Sequence, residues 1–222
     1  MPAIGNARIA ILATNGFEQS ELEVPLKKLA EAGAEVEVVS PESGEIKGWE
    51  KKDWGRAVKV DRALKEAHVS DYDALVLPGG QMNPDLLRVD KEAIQFIHAF
   101  AISGKPLAAI CHAPWLLIEA GLLKGKRATS YHSIRTDMVN AGAKWEDSMS
   151  VRDGNLITSR KPDDLDAFVR EIIRAVEEEG TRQALPIKEE WRTDVCRTAR
   201  SGSTVMAAAT GALASYDWST LL

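Results

Sequence analysis

Cysteine is nearly absent from this 222-residue chain: Cys111 and Cys196 are its only two. Two thiols so far apart make neither a disulfide framework nor a ligand cluster, and such sparse use fits a reducing, cytoplasmic setting. Histidine is also scarce. His68, His98, His112 and His132 stand at no ligand spacing, so no metal site is expected. No apolar run approaches the roughly 20 residues that span a bilayer. The start has no positively charged region leading into a sustained apolar stretch, and no signal peptide is expected. Lysine and arginine (28) are outnumbered by aspartate and glutamate (33), a net charge of −5. That balance gives no electrostatic ground for a nucleic-acid or membrane partner. No glycine-rich phosphate fingerprint follows an apolar run, so no nucleotide cofactor, and no cofactor of any kind, is expected.

What is present is a repeating pattern of short apolar runs and amphipathic stretches. Residues 9–13, 36–39, 73–77 and 106–110 read as buried strands. Residues 20–32, 91–102, 113–120, 134–140 and 163–178 carry apolar positions at helical spacing, several stopped by glycine. Residues 44–60 are polar, with Trp49 and Trp54, and predict an excursion with two short extended pieces. Residues 127–130 predict a short strand. Asp153-Gly154-Asn155 between 148–152 and 156–159 predicts a hairpin. Strands alternating with helices argue a three-layer α/β/α sandwich, flavodoxin-like, with a mostly parallel central sheet. Residues 1–180 are read as one α/β domain. Residues 181–222, rich in arginine and then in alanine, serine and threonine, are read as a tail, loosely ordered or serving as a packing or oligomer arm. Cys196 falls in that tail and is assigned no chemistry.

The chemistry concentrates at Lys105-Pro106-Leu107-Ala108-Ala109-Ile110-Cys111-His112-Ala113-Pro114. A central strand ends, and Pro114 suits the first turn of the helix that follows. Cys111 therefore sits on the sharp turn between them, a nucleophile elbow at the carboxyl edge of the sheet. A helix N-terminus favours negative charge, so the thiol is expected to be acidified. Backbone N–H groups left free at the turn can hold an oxyanion. On local sequence alone the same cysteine also reads as a small buried hydrophobe. His112 is adjacent and titrates in the useful range. Pro78-Gly79-Gly80 ends the preceding strand, either as a plain turn or as a place where backbone approaches closely. Glu18 and Glu21 follow the first strand and fall on the same edge; each is either a capping residue or a site acid. A carboxyl group beside the cysteine can hydrogen-bond the sulfur.

Together these residues resemble the PfpI family of intracellular cysteine peptidases. Its superfamily also holds the parkinsonism-associated protein deglycase and the class I glutamine amidotransferases. The matches run in order through Phe17-Glu18, Glu21, Asp73 to Gly80, Gly104-Lys105-Pro106, Ala109 to His112, Thr129-Ser130-Tyr131, Asn140-Ala141-Gly142, Asp153-Gly154-Asn155 and Ser159-Arg160. The resemblance implies Cys111 as nucleophile, His112 as its partner, Glu21 as the acid touching the thiol and Glu18 as a pocket acid. It implies an oxyanion hole at the Gly79-Gly80 turn, from the N–H groups of Gly80 and His112, and Tyr131 as pocket lining. It also implies a homo-oligomer, in which Asp85 reaches the histidine of a neighbouring copy. The family has glycine after Cys-His; Ala113 departs from that and adds bulk beside the turn. His132 is expected at the rim.

The function expected from this set is a cofactor-independent, stress-protective cysteine hydrolase. It takes small carbonyl or peptide substrates, as a peptidase or as a deglycase or glyoxalase on aldehyde adducts. A non-catalytic redox sensor built on an oxidisable Cys111 is the alternative reading. A glutamine amidotransferase is disfavoured, because those enzymes carry a late His-x-Glu pair and the late stretch here is Arg160-Lys161-Pro162-Asp163-Asp164.

Overall fold

The computed structural model describes residues 4–184. In chain order the elements are β1 (Arg8–Leu12), α1 (Gln19–Glu31), β2 (Glu35–Ser40), β3 (Glu45–Glu50), β4 (Asp53–Lys59), β5 (Arg62–Ala63) and β6 (Ala74–Leu77). Then follow α2 (Met82–Arg88), α3 (Lys91–Ile102), β7 (Leu107–Ile110), α4 (Pro114–Glu119), β8 (Arg127–Ala128) and α5 (Arg135–Asn140). The described chain closes with β9 (Lys144–Trp145), β10 (Ser150–Asp153), β11 (Leu156–Ser159) and α6 (Leu165–Ala184).

Seven strands form one sheet in the order β10-β11-β7-β6-β1-β2-β5. Only the β10–β11 hairpin is antiparallel; every other pairing in that sheet is parallel. A parallel strand covered on both faces reads as an unbroken apolar run. β6 (Ala-Leu-Val-Leu) and β7 (Leu-Ala-Ala-Ile) are buried at every position, as that requires. In β1 the period of two divides the side chains between the faces. Ile9 and Ile11 join Leu22, Leu29, Phe168 and Ile172 beneath α1 and α6. Ala10 and Leu12 join Leu87, Ile97, Phe100 and Leu116 beneath α2, α3 and α4. The result is the three-layer α/β/α sandwich expected from the alternating pattern.

Chain direction across the sheet reverses at β1. From β1 the chain steps outward to β2 and β5, then returns to β6 on the other side and continues through β7 to β11. The loops after β1 and β6 therefore diverge, leaving a crevice at the carboxyl edge where α/β sheets place their sites.

The excursion at 44–60 holds the two extended pieces expected there, paired as a hairpin, β3–β4, separate from the main sheet. It is held to α1 by Gln19, whose Oε1 accepts from the backbone N–H of Arg56 at 2.9 Å. α2 was not anticipated: seven residues with Pro84 inside give no apolar period to read. β5 and β9 are two residues each, below what a pattern can mark. α6 runs past Gly180 to Ala184. One glycine inside an established helix costs only about 1 kcal/mol relative to alanine, so it need not end the helix. The tail reading and Cys196 otherwise lie outside the described residues. Among those described, no helix is long and apolar enough to cross a membrane.

Candidate active site

Three turns meet at the crevice, following β1, β6 and β7. The first two are tied together by Asn83, which is fully buried in α2. Its Oδ1 accepts from the N–H of Thr14 at 2.7 Å. Its Nδ2 donates to the carbonyls of Pro78 (2.8 Å) and Gly79 (3.2 Å). β3 braces the first turn: Gly16 donates to Lys47 O, and Trp49 donates to Phe17 O. Gly80 has a φ of +82°, and a Cβ there would lie 2.5 Å from Gly16 O and 2.7 Å from Glu18 N. Glycine is required on both counts, conformation and space.

Cys111 has a φ of 64°, in the left-handed region. A non-glycine residue there costs roughly 1–2 kcal/mol. Backbone on either side holds the conformation in place: Cys111 N–H donates to Ser159 O of β11 at 3.0 Å, and Tyr131 N–H, in the loop after β8, donates to Cys111 O at 2.9 Å. This is the strained elbow expected at the end of β7. The turn aims the sulfur into the crevice, where it meets four groups. Nδ1 of His112 lies 3.1 Å away. The Glu21 carboxyl group lies against the sulfur, and the backbone N–H groups of Gly80 and His112 point at it.

The electrostatics depart from the expectation of a simply acidified thiol. Cys111 is only 6% exposed. Burial pushes its pKa up, and a charged Glu21 pushes it further, against the pull of the Gly80 and His112 N–H groups. The helix-terminus effect that motivated the expectation is outweighed by desolvation. Glu21 answers the same pressure. Burial, and then the nearby Glu18 carboxylate, raise it to about 8, while hydrogen bonds with Cys111 and the Gly79 N–H (2.9 Å to Oε2) pull it down. Glu21 is therefore a neutral acid at pH 7, able to donate. His112 is pushed the other way, below the usual imidazole value, by burial and then by His132. It is a neutral base. Burial thus opposes loss of the sulfur's proton, and Nδ1 of His112, 3.1 Å away, is a ring nitrogen within reach of it.

Glu21 makes the fold pH-sensitive. Between the unfolded value of about 4.5 and the folded value of about 8 the native state holds a proton that the unfolded chain has lost. Its stabilising contribution is complete below the unfolded value and disappears as pH rises through the folded one. The slope approaches about 1.4 kcal/mol per pH unit at most. Glu21→Gln mimics the protonated acid and abolishes this slope. Urea midpoints from pH 5 to 8 are expected to fall in the parent chain and stay flat in the variant. Parallel curves would place a charged Glu21 in the native state.

His112 is fixed by its neighbours. Tyr131 stacks on it at 5.0 Å and 28°, and Trp115 meets it edge-on at 5.3 Å. Its Nε2 lies 3.1 Å from Ser133 Oγ. Glu18 caps α1, accepting from Glu21 N–H at 2.9 Å and from the Ser20 hydroxyl. Its capping and site-acid readings are compatible. Cys111, His112, Glu21, Glu18, Gly79, Gly80 and Tyr131 thus gather in one place. Asp85 does not: it is exposed in the first turn of α2 and makes no hydrogen bond to His112. His132 is exposed, at the rim, packed on Tyr131 at 4.3 Å. Ala113, suspected of crowding the turn, has a helical φ of −55° and is buried in the α2–α4 cluster instead. Asn83 and Ser133 were missed, since a lone asparagine or serine beyond a turn carries no sequence signal. Among the described residues, no group of three or more His, Cys, Asp or Glu side chains is arranged to hold a metal ion.

Comparison with known proteins agrees with this geometry. Residues 7–175 match the DJ-1/PfpI family. The chain is 44% identical to "Deglycase PfpI" of Pyrococcus furiosus over 75% of this chain and 98% of that protein. It is 42% identical to "Protein/nucleic acid deglycase 2" of Escherichia coli, over 75% of this chain and 96% of that one. The crystal structure of Drosophila melanogaster DJ-1beta superposes with a TM-score of 0.70 at 28% identity, covering 78% of this chain and 95% of that one. An ordered match of this length, on a sheet that brings the matched residues to one crevice, places the chain in the DJ-1/PfpI family.

Proposed function

We propose that this chain is a cofactor-independent cysteine hydrolase that removes aldehyde adducts, a deglycase of stress-protective type working in the cytoplasm. The observation that carries the reading is the elbow: a sulfur at φ 64°, with a neutral base 3.1 Å away, a neutral acid against it and two backbone N–H groups directed at it. His112 Nδ1 takes the thiol proton, and the thiolate attacks the carbinol carbon of the adduct, the former aldehyde carbon: the S–C bond forms as the C–N bond breaks, and the leaving nitrogen takes a proton from Glu21. In the hemithioacetal that results a proton moves from that carbon to its ketone neighbour, the oxyanion formed on the way is held by the Gly80 and His112 N–H groups, and water releases the lactoyl thioester. Glu21 supplies and recovers protons. For a methylglyoxal adduct of an amine or guanidine, one water enters, the nitrogen is freed and lactate leaves. The aldehyde carbon is oxidised while its ketone neighbour is reduced, so the electrons balance without a cofactor. The relatives named deglycases support the substrate class; peptide hydrolysis needs the same parts.

Two further parts of the reading concern assembly and oxidation. The proposal includes a homo-oligomer, which the resemblance implies: the exposed Asp85 would reach the His112–Ser133 pair of a second copy. The acid against the sulfur also suits a redox sensor, because a neutral Glu21 can donate to an oxidised sulfur. The test is turnover of the methylglyoxal adduct of N-acetylarginine by the full chain, read as free N-acetylarginine and lactate. Many turnovers per chain are expected. One oxidation event per thiol, with no turnover of adduct or peptide, would favour the sensor.

A further inference from the structure

We propose that Ser133 is a positioning residue for this site: its hydroxyl accepts from Nε2–H of His112 and so keeps Nδ1 free to face the Cys111 sulfur. The inference rests on the reading of Cys111 as a nucleophile. It deepens that reading by completing a Cys111–His112–Ser133 relay within one copy.

The geometry is a chain of two contacts of 3.1 Å each, from Sγ to Nδ1 and from Nε2 to Ser133 Oγ. The donors around the sulfur decide which way it runs. Two backbone N–H groups and the Glu21 acid are already directed at the sulfur. Nδ1 is the nearby group that can accept the proton the sulfur must lose. A neutral imidazole that accepts at Nδ1 carries its hydrogen at Nε2. After the transfer both nitrogens carry hydrogen. Nε2 is a donor in both states, and Ser133 Oγ is its acceptor in both, so the relay needs no rearrangement when the proton moves. In the opposite tautomer Nδ1 would present a hydrogen to the thiol and no transfer would be possible. A partner on the far nitrogen commonly selects the tautomer in this way.

The rest of the ring is held by packing, which leaves the tautomer as what Ser133 adds. Tyr131 and Trp115 fix the plane of His112. Trp115 is itself held by a hydrogen bond from Nε1 to Asp137 (2.8 Å) and by the Arg88 guanidinium over its ring at 5.6 Å. Ser133 is exposed, in the three-residue helical turn His132–Ile134 anchored by the buried Ile134 and directly after Tyr131, so the segment that stacks on the ring also supplies the hydroxyl.

The experiment uses the full chain, with Ser133→Ala, Ser133→Thr and Asp85→Ala compared. Long-range nitrogen–proton NMR on histidine-labelled protein reads the His112 tautomer, assigned by difference against His112→Asn. Iodoacetamide labelling of Cys111 from pH 5 to 9 reads thiolate formation. The parent is expected to show the Nε2–H tautomer. Ser133→Ala is expected to mix the tautomers and slow labelling at pH 7 by about tenfold, the low end of what loss of a histidine's outer partner costs in metal sites. Ser133→Thr, which keeps the hydroxyl, is expected to restore both. An unchanged tautomer and rate in Ser133→Ala, or no rescue by threonine, overturns the proposal. So does a tautomer that moves in Asp85→Ala and stays put in Ser133→Ala, which gives the role to a neighbouring copy. Neither readout needs a substrate. Absent turnover with the Ser133 effect intact therefore removes the deglycase reading and leaves the relay standing.

Discussion

Cys111→Ala is expected to lower adduct turnover by at least about 10³-fold, the scale seen when a covalent nucleophile is deleted from a cooperating set. What survives is whatever the N–H groups of Gly80 and His112 do for a bound substrate unaided. Cys111→Ser is expected to be equally inactive, because a serine hydroxyl is far harder to ionise and His112 is already a weakened base. Both variants are expected to fold. Alanine deletes a single heavy atom, and serine finds donors waiting at Gly80, His112 and Glu21. The strained φ of 64° remains in each, so that cost cancels in the comparison. Stability should change by about 1 kcal/mol or less, the ordinary range for a substitution with no large cavity. Turnover and urea unfolding with an unchanged slope are the two measurements. Loss of cooperative unfolding would make Cys111 a packing residue that happens to sit in a crevice.

The architecture was legible because parallel strands buried on both faces have no way to hide. Asp73-Ala74-Leu75-Val76-Leu77 and Pro106-Leu107-Ala108-Ala109-Ile110 admit one reading, and the helices between them carry their own period. Cys111 and the Gly79-Gly80 turn were legible for a related reason. Each directly follows such a strand, so strand position fixes them at one edge of the sheet. Glu21 lies in the first turn of α1, the helix that follows β1, and so comes to the same edge. α2, β5 and β9 were not legible, since a few residues cannot express a period. The burial that opposes ionisation of the thiol was not legible, because sequence reveals the helix terminus but not the desolvation. Ser133 and Asn83 act through tertiary contacts across 21 and up to 69 residues, and no local pattern announces those.

Gly79→Ala should test the site's crowding independently of the sulfur's chemistry. A Cβ at Gly79 would stand 2.7 Å from Cys111 Cβ, 2.7 Å from Glu21 Oε2 and 2.7 Å from Ile110 O. The last is backbone in the sheet and cannot yield cheaply. Unlike Gly80, Gly79 is not in the left-handed region, so the variant carries a steric cost without an added conformational one. Overpacking of this kind costs about 1–3 kcal/mol. The larger effect is expected in activity. Relief must come from moving the Cys111 elbow or Glu21, the two groups whose contact defines the site. A displacement near 1 Å at a reacting atom costs on the order of 10²-fold in rate. Moving Glu21 away from the Gly79 N–H also removes one of the hydrogen bonds that hold its pKa down. Gly5→Ala is the control, since a Cβ there meets nothing within 4 Å. Turnover is expected to fall about a hundredfold in Gly79→Ala and to hold in Gly5→Ala. Full activity in Gly79→Ala would mean that Cys111 and Glu21 can separate without consequence, and the catalytic role of the acid would go with it.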